Sequence, residues 1–299
     1  MKKIVLTGAT SMLGVATIEE CLKHNIDVVA IAHRNSKKLN RLPKSKHLML
    51  IERNLDELAE FKPKINDADV FYHFGWAATS HEGRTDVDIQ ELNIRYTLDA
   101  VRLAKRFGCN KFLFAGSQAE YGLSDKPLNR ETPIRPFTAY GVSKYAAGKL
   151  AEMLCKSLGL TFVWSRILSV YGINDSVNTL ISYIIDCYRK NIQPVLTPCE
   201  QIWDYLNADD AGRAFRLLGE QNTKGIYCIG SGEGKPLKLY VETIHKLMKP
   251  SVPLVFGNKP YAENQVMYLQ ADISDLNRDT GFKPNISFEE GISKIINKF

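Results

Sequence analysis

The chain has 299 residues, a hydrophobic fraction of 44%, and 39 Lys and Arg against 33 Asp and Glu, for a formal net charge of +6. This length allows one large domain or two fused lobes, and the composition excludes a disordered or fibrous protein. The small, scattered charge suits an anionic small ligand and argues against a nucleic-acid partner. The densest basic run, within residues 37–46, is interpreted as a solvated surface, with a place beside a phosphate as the alternative.

The six cysteines and the start of the chain indicate the compartment. The cysteines show no C-x-x-C spacing and fall mostly in apolar stretches, as buried reduced cysteines do. We therefore expect neither disulfides nor a metal, and a reducing environment. The first apolar run ends at Thr7-Gly8, too short for a signal peptide, and no later run is long enough to span a bilayer. These features predict a cytoplasmic protein with no membrane partner.

Short apolar runs, all but one of them in the first part of the chain, alternate with helix-length segments. The runs at residues 4–7, 27–32, 48–52, 70–74, 112–115, 162–167 and 225–229 are apolar on both faces, as buried parallel strands are. Amphipathic segments at 14–24, 89–107 and 139–158 predict helices between them. This alternation predicts an α/β fold, a Rossmann-type doubly wound parallel sheet.

Prolines break up shorter elements after residue 170 and predict a smaller C-terminal α/β substrate lobe. We place the dinucleotide-binding domain at residues 1–170, with a return segment near 205–232. Residues 171–299 then form mainly the substrate-binding lobe. Because the strand at 225–229 belongs with the first half, we expect the chain to cross between the lobes more than once.

A glycine-rich turn follows the first strand, at residues 7–14 with the sequence TGATSMLG. Small residues at this junction let the backbone approach a pyrophosphate, whose charge meets the N-terminus of the next helix. Ser11 stands where a third glycine is expected, so a phosphate approaches only if this residue avoids a strained conformation. An ordinary tight turn is the alternative interpretation.

The end of the second strand bears on the choice of cofactor. NAD sites place an acidic residue there for the ribose hydroxyls, but this strand ends in His33-Arg34 with no carboxylate. A guanidinium binds phosphate oxygens bidentately. The sequence therefore predicts NADP in preference to NAD, with a solvent-exposed Arg34 as the alternative.

Tyr140 and Lys144 lie four residues apart at the start of a predicted helix, on one face. A nearby ammonium lowers the pKa of a phenol, ordinarily near 10, and makes it more useful in proton transfer. The spacing alone is common on surface helices. Ser117, however, ends a buried strand, and ligands of open α/β sheets bind at strand carboxyl ends. Together with the phosphate turn, the three residues predict proton transfer that accompanies hydride transfer at a carbinol carbon.

With these motifs the chain resembles the extended short-chain dehydrogenase/reductases, also described as NAD-dependent epimerase/dehydratases. The likeness covers essentially the whole length and includes residues 69–75, Asn93, 166–172, 203–205, 209–210 and 271–274. It implies a Rossmann cofactor lobe, a C-terminal lobe that grips a nucleoside-diphosphate sugar, and frequent dimerisation through a helix pair. By matching positions it places these residues near the cofactor, with His33 beside them: Gly8, Ser11, Met12, Leu13, Gly14, Arg34, Asn54, Leu55, Phe74, Gly75, Trp76 and Lys144.

Departures from the family pattern narrow the expected reaction. Members that dehydrate the sugar carry an acidic pair just after the catalytic serine or threonine, where this chain has Gln118 and Ala119. We therefore expect an NAD(P)-dependent reductase of a 4-keto, 6-deoxy nucleoside-diphosphate sugar. An NAD-dependent 4-epimerase is the alternative. A non-catalytic dinucleotide-binding regulator is a further one, less favoured because the three catalytic positions are intact.

Other departures concern the substrate. Many members carry an arginine for the diphosphate at the position of Trp203, and an asparagine at the position of Ser169. We take Gln118, Ser169 and Trp203 as weak candidates for substrate contact. Backbone amides or Lys235 would then hold the diphosphate, unless the substrate lacks one, and a purely core role is the alternative for Trp203.

Overall fold

The computed structural model describes residues 1–80 and 82–298. In chain order its strands are β1 (Lys3–Thr7), β2 (Asp27–Ala32), β3 (Leu48–Glu52), β4 (Val70–His73), β5 (Lys111–Ser117), β6 (Thr161–Ile167), β7 (Ser169–Tyr171), β8 (Ile202–Trp203), β9 (Tyr205–Asn207), β10 (Gly225–Ile229), β11 (Lys235–Pro236) and β12 (Tyr268–Leu269). Its helices are α1 (Met12–Lys23), α2 (Val87–Arg106), α3 (Ala139–Ser157), α4 (Leu180–Arg189), α5 (Ala208–Glu220), α6 (Leu237–Met248), α7 (Ser274–Thr280) and α8 (Phe288–Lys298).

The main sheet is parallel, with strand order β10-β6-β5-β4-β1-β2-β3. The seven apolar runs of the sequence supply its strands. Alternate residues of β1 enter two different cores: Ile4 and Leu6 pack with Ile18 of α1 and Phe215 of α5, whereas Val5 packs with residues of α2 and α3. Because helices cover both faces, the strands are mostly buried. The edge strand β3, which was predicted to be buried, is the exception, with Met49 51% and Leu50 43% exposed. The predicted Rossmann-type α/β fold is confirmed.

The chain returns to this sheet after a long excursion. The helix α5 packs against α1, and β10 adds a strand beside β6 in parallel register. Lys111, at the start of β5, is buried and its Nζ donates hydrogen bonds to the carbonyls of Leu218, Gly219 and Gln221 at the end of α5. A cation therefore caps the helix end, where carbonyl groups lack partners within the helix.

Shorter elements surround a separate core in the C-terminal part of the chain. The strands β11, β8 and β12 form a small mixed sheet, and Ile184 of α4, Tyr240 of α6 and Ile292 of α8 meet in one cluster. The assignment of residues 171–299 to a substrate lobe stays a prediction, and its last residue lies outside the described chain. The six cysteines, all within the described chain, are free and buried. Across the described chain, none of the helices is long and apolar enough to cross a membrane.

Candidate active site

The turn between β1 and α1 depends on two glycines and is unstrained at Ser11. Gly8 has φ of +70°, and a Cβ there would lie 2.8 Å from the backbone nitrogen of Gly75. A Cβ on Gly14 would lie 2.4 Å from the carbonyl oxygen of Gly8. Ser11 is extended (φ −71°, ψ 163°), and its Oγ accepts the Gly14 N–H at 3.0 Å as the N-cap of α1. Serine can therefore stand at the place of the expected third glycine without backbone strain.

A cavity of about 440 Å³ opens beside this turn, at the carboxyl ends of β1, β2 and β4. Eight residues predicted near the cofactor line it: Gly8, Ser11, His33, Asn54, Leu55, Phe74, Gly75 and Trp76. Met12, Leu13, Gly14, Arg34 and Lys144 are not among its lining residues. The sequence reasoning missed the other nine lining residues: Thr7, Thr10, Ile31, Lys38, Arg53, Asp56, Ala77, Thr79 and Tyr96. Thr7 and Thr10 lie inside the glycine-rich turn, Ile31 lies in a predicted strand and Lys38 in the basic run; the others had no signal.

Arg34 has a different partner from the one expected. Its Nε and Nη2 donate to both carboxylate oxygens of Glu57, at 2.7 to 3.0 Å. The hydrogen bond from Arg34 is the main reason that the pKa of Glu57 falls to about 2. Glu57 also caps the turn that begins at Asn54, whose Oδ1 accepts the Arg34 backbone N–H. The guanidinium is therefore held by a carboxylate, and neither residue lines the cavity beside the turn.

Buried polar contacts fix the loop that follows β4. His73 is buried, and its Nδ1 lies 2.8 Å from Thr7 Oγ1, which accepts the Gly75 N–H. Burial lowers the pKa of His73 to about 3, so its ring is neutral. Asn93 on α2 pairs with the backbone of Ala77 through both its oxygen and its nitrogen, at 2.7 and 3.1 Å. Asn93, part of the family resemblance, thus has a positioning role.

The predicted catalytic residues come together at the ends of β5 and α3. Tyr140 and Lys144 occupy the first turns of α3. The N-cap of this helix is Thr138, whose Oγ1 accepts the Gly141 N–H at 3.1 Å. Tyr140 is 9% exposed and Lys144 is 4% exposed. Ser117, also 9% exposed, ends β5, and its side chain hydrogen-bonds with Tyr140. The spacing therefore places both helix residues toward the sheet, with Tyr140 beside Ser117 and Lys144 at the carbonyl of Ala115.

The ammonium of Lys144 lies between a carbonyl and an aromatic ring. Its Nζ donates to the carbonyl oxygen of Ala115 at 2.7 Å and lies 3.7 Å from the centre of the Trp76 ring. Burial lowers the pKa of Lys144 to about 7, and the carboxylate of Glu120 acts in the opposite direction. Lys144 therefore titrates near neutrality in the cofactor-free protein.

The phenol of Tyr140 is kept protonated at neutral pH. Burial raises its pKa, while the cation of Arg84 and the hydrogen bond with Ser117 act to lower it. The Arg84 guanidinium lies 4.8 Å from the centre of the Tyr140 ring, and its Nε donates to the carbonyl of Thr79. Nothing in the sequence indicated Arg84, because the loop that carries it has no regular pattern. A protonated phenol is a proton donor, as reduction of a carbonyl requires.

The turn after Ser117 offers no free carboxylate at its first two positions. Gln118 and Ala119 begin a 3₁₀ turn and are partly exposed, and neither side chain ionises. Glu120 ends the turn and is fully buried. Its oxygens are occupied by neighbouring donors, among them Arg166, so it is not available to a substrate.

A second cavity, of about 580 Å³, lies in the C-terminal part and contains Trp203. Within the described chain, Trp203 Nε1 and Gln201 Oε1 are buried without a hydrogen-bond partner. Trp203 thus lines the cavity while it also packs against the neighbouring hydrophobic clusters. Lys259 supplies the cation among the lining residues, whereas Lys235 pairs with Glu233 at 2.8 Å. Gln118 and Ser169 line neither this cavity nor the one beside the turn.

Comparisons with known proteins agree with this architecture. The chain is 26% identical to CDP-abequose synthase of Salmonella typhimurium over 306 residues, covering 99% of this chain and 97% of the relative. It is also 26% identical to a dTDP-4-dehydro-6-deoxyglucose reductase of Escherichia coli over 309 residues, 98% of this chain and 96% of the relative.

Among solved structures, UDP-glucuronic acid 4-epimerase of Bacillus cereus in complex with NAD shares the fold, with a TM-score of 0.84 at 20% identity over 99% of this chain and 97% of that one. That structure contains NAD, so the predicted preference for NADP gains no support from it. The model of the NAD dependent epimerase/dehydratase family matches residues 4–230, most of the chain. The protein is an enzyme that belongs to the NAD-dependent epimerase/dehydratase family.

Proposed function

We propose that this enzyme reduces the 4-keto group of a 6-deoxy nucleoside-diphosphate sugar with a nicotinamide dinucleotide. The observation that carries the proposal is the buried group of Ser117, Tyr140 and Lys144, followed by a turn that cannot ionise at Gln118 and Ala119. The first three residues provide proton transfer at a carbinol carbon. The next two lack the acid and base that removal of water from the sugar needs.

The cavity beside the first turn fits the dinucleotide. A Cβ at Gly8 or Gly14 would clash with the backbone of the turn and its neighbours, so the turn is as close-packed as a pyrophosphate cradle requires. The N-terminus of α1 is capped by Ser11 and favours negative charge. Gly8, Ser11, Asn54 and Gly75 would hold the dinucleotide, with Trp76 beside it.

Three residues of the chain then have separate roles in the reduction. A bound nicotinamide dinucleotide would supply the hydride for the carbonyl carbon. Tyr140 donates its phenolic proton to the carbonyl oxygen, which becomes the hydroxyl, and Ser117 holds that oxygen by a hydrogen bond. The ammonium of Lys144 stabilises the phenolate left on Tyr140 until a proton is recovered from solvent.

Two observations support a nucleotide sugar as the substrate. Two relatives that match over nearly the full length are named CDP-abequose synthase and dTDP-4-dehydro-6-deoxyglucose reductase. The second cavity offers unpaired polar atoms on Gln201 and Trp203 together with the cation of Lys259. We propose that it takes the nucleotide part, with Lys259 in place of the expected arginine.

The preference for NADP is kept as a proposal that needs one rearrangement. Lys38 lines the cavity, and no carboxylate ends β2. Arg34 would exchange Glu57 for the 2′-phosphate, whose greater charge makes it the stronger acceptor. Titration of both cofactors by fluorescence quenching tests this proposal, and tighter binding of NAD would refute it.

We also propose that the enzyme is a homodimer that joins through α2 and α3. Leu92 on α2 and Val142, Leu150 and Met153 on α3 are apolar yet 43 to 63% exposed. Burial of such a surface against a second copy would remove it from water. Light scattering after size-exclusion chromatography should give about twice the 33.7 kDa chain mass, and a Met153→Glu variant should be monomeric.

We also propose that the protein is cytoplasmic, because of its free thiols. Six free, buried cysteines suit a reducing compartment. Fractionation of the source cells, with detection by an antibody, tests it, and recovery outside the cytoplasm would refute it.

The decisive experiment is incubation with NADPH or NADH and a panel of 4-keto nucleotide sugars. We expect loss of reduced-cofactor absorbance in step with the appearance of the 4-hydroxy product. Isomerisation of a nucleotide sugar without net consumption of cofactor would assign the 4-epimerase instead. A Tyr140→Phe variant should keep cofactor affinity and lose turnover by roughly a hundredfold or more, and unchanged turnover would refute the catalytic assignment.

A further inference from the structure

A fully buried carboxylate lies directly behind the catalytic serine. Glu120 is 0% exposed. One of its oxygens accepts the Ser117 backbone N–H at 2.7 Å and the Trp164 Nε1–H at 3.3 Å, and the other accepts the Arg166 Nε–H at 2.8 Å. These donors come from β5 and β6, so the carboxylate joins the ends of two neighbouring strands at the site.

The strand end is shaped to let this carboxylate in. A Cβ on Gly116 would lie 2.5 Å from Glu120 Oε1 and 2.4 Å from Trp164 Nε1. On the other side of the same strand end, Ala115 accepts the hydrogen bond from Lys144. Residues 115–117 are therefore held between Lys144 and Glu120, and the position of Ser117 Oγ depends on both contacts.

Glu120 also sets the balance of charge around Lys144. The groups that face Lys144 are Glu120, Arg84 and the phenol of Tyr140, with His73 neutral behind them. Burial and the cation of Arg84 lower the pKa of Lys144, whereas the carboxylate of Glu120 raises it. Glu120 is the one carboxylate among these described neighbours. Burial raises its own pKa, the cation of Arg166 and the Ser117 N–H act in the opposite direction, and its negative charge favours the ammonium form of Lys144.

We propose that Glu120 is a positioning residue of the reduction: it fixes Ser117 toward the reacting oxygen and stabilises the ammonium of Lys144. The catalytic part of this inference rests on the proposed function. The geometry separates the two roles, because the hydrogen bond to Ser117 needs the reach of a glutamate and the effect on Lys144 needs its charge. Arg166 compensates the same carboxylate and stacks on the rings of Tyr121 and Trp164, at 4.6 and 4.7 Å.

The test compares the titration of Lys144 in the wild type and in a Glu120→Gln variant. NMR of protein labelled with ¹³C at lysine Cε measures this titration. The Lys144→Met variant identifies the resonance. The wild type should titrate with a midpoint of about 7, and Glu120→Gln should titrate about one pH unit lower or more. Glu152→Gln, which removes a half-exposed carboxylate from α3, should leave the midpoint unchanged. Equal midpoints in the wild type and Glu120→Gln would overturn the proposal, whatever the substrate is.

A Glu120→Asp variant tests the positioning role and covers the case in which Glu120→Gln does not fold. It keeps the charge but is one methylene shorter, so it cannot reach Ser117 and Arg166 together. The midpoint of Lys144 should stay within about half a pH unit, while kcat should fall at least about tenfold with a smaller change in KM. A folded Glu120→Asp variant with wild-type turnover, or with the midpoint lowered by a full unit, would overturn the proposal.

Discussion

Replacement of Lys144 by methionine should stabilise the folded protein, and the gain should grow as the pH falls. The pKa of Lys144 is about 7 in the folded protein, against about 10.4 in an unfolded chain. Between these values the unfolded chain binds a proton that the folded chain does not, so the stability of the wild type rises with pH in this window. Below about pH 7 both states are protonated and the burial cost is present in full.

The size of the effect follows from the width of the window. Each pH unit inside it changes the free energy of unfolding by about 1.4 kcal/mol. From about pH 9.5 down to about pH 7.5, the wild type should therefore lose about 2 to 3 kcal/mol relative to Lys144→Met. The variant also loses the hydrogen bond to Ala115 and the contact with Trp76. Those losses reduce the stability that the variant gains at any one pH. The change with pH in the stability difference between the two proteins is therefore the better measure.

Urea unfolding of both proteins at several pH values measures the difference. Lys156→Met is the matched control, because Lys156 is exposed on the same helix. The control should follow the wild type at every pH. If the stability of Lys144→Met and that of the wild type keep a constant difference across the window, then Lys144 is not a depressed, buried ammonium and the reasoning is wrong.

Three other variants test separate parts of the site. Gly8→Ala places a Cβ 2.8 Å from the backbone nitrogen of Gly75 at a φ of +70°. Cofactor affinity measured by calorimetry should therefore fall at least about tenfold, with a stability loss of about 1 to 2 kcal/mol. Wild-type affinity would contradict the proposal that this turn binds the pyrophosphate. Glu57→Gln weakens the hold on Arg34 and should raise the ratio of NADP to NAD affinity about fivefold, whereas an unchanged ratio would show that Arg34 does not reach the 2′-phosphate. Trp203→Ala should raise the KM for the nucleotide sugar about tenfold with kcat within about threefold, and an unchanged KM would place the substrate elsewhere.

The parts of the fold that could be predicted from sequence are those with a strong local signal. The strands of the main sheet are apolar on both faces, and the helices α1 to α3 begin at side-chain caps such as Ser11 and Thr138. The pairing of Tyr140 with Ser117 followed from the rule that parallel strands end at one edge of a sheet. By contrast, β8 and β12 have two residues each and pair across more than 60 positions, which no local pattern reveals.

The missed parts of the site depend on contacts between distant residues. The sequence identified Arg34 as a cation just after β2. Its partner Glu57, however, lies 23 residues further on, in a turn with no distinctive sequence. Arg84 reaches Tyr140 only because an irregular loop folds back over α3. Such contacts are set by the path of loops, and a single sequence carries little information about that path.

The late return of the chain to the main sheet has a consequence for synthesis. Residues 1–170 include β1 to β6 but lack β10, which pairs with β6, and α5, which covers α1 and supplies Phe215 to the core. A nascent chain of that length exposes an unpaired strand edge and a bare apolar surface, both of which favour aggregation. The glycine-rich turn between β1 and α1 therefore gains its full support only after residue 229 has left the ribosome, and shorter fragments should need a chaperone to stay in solution.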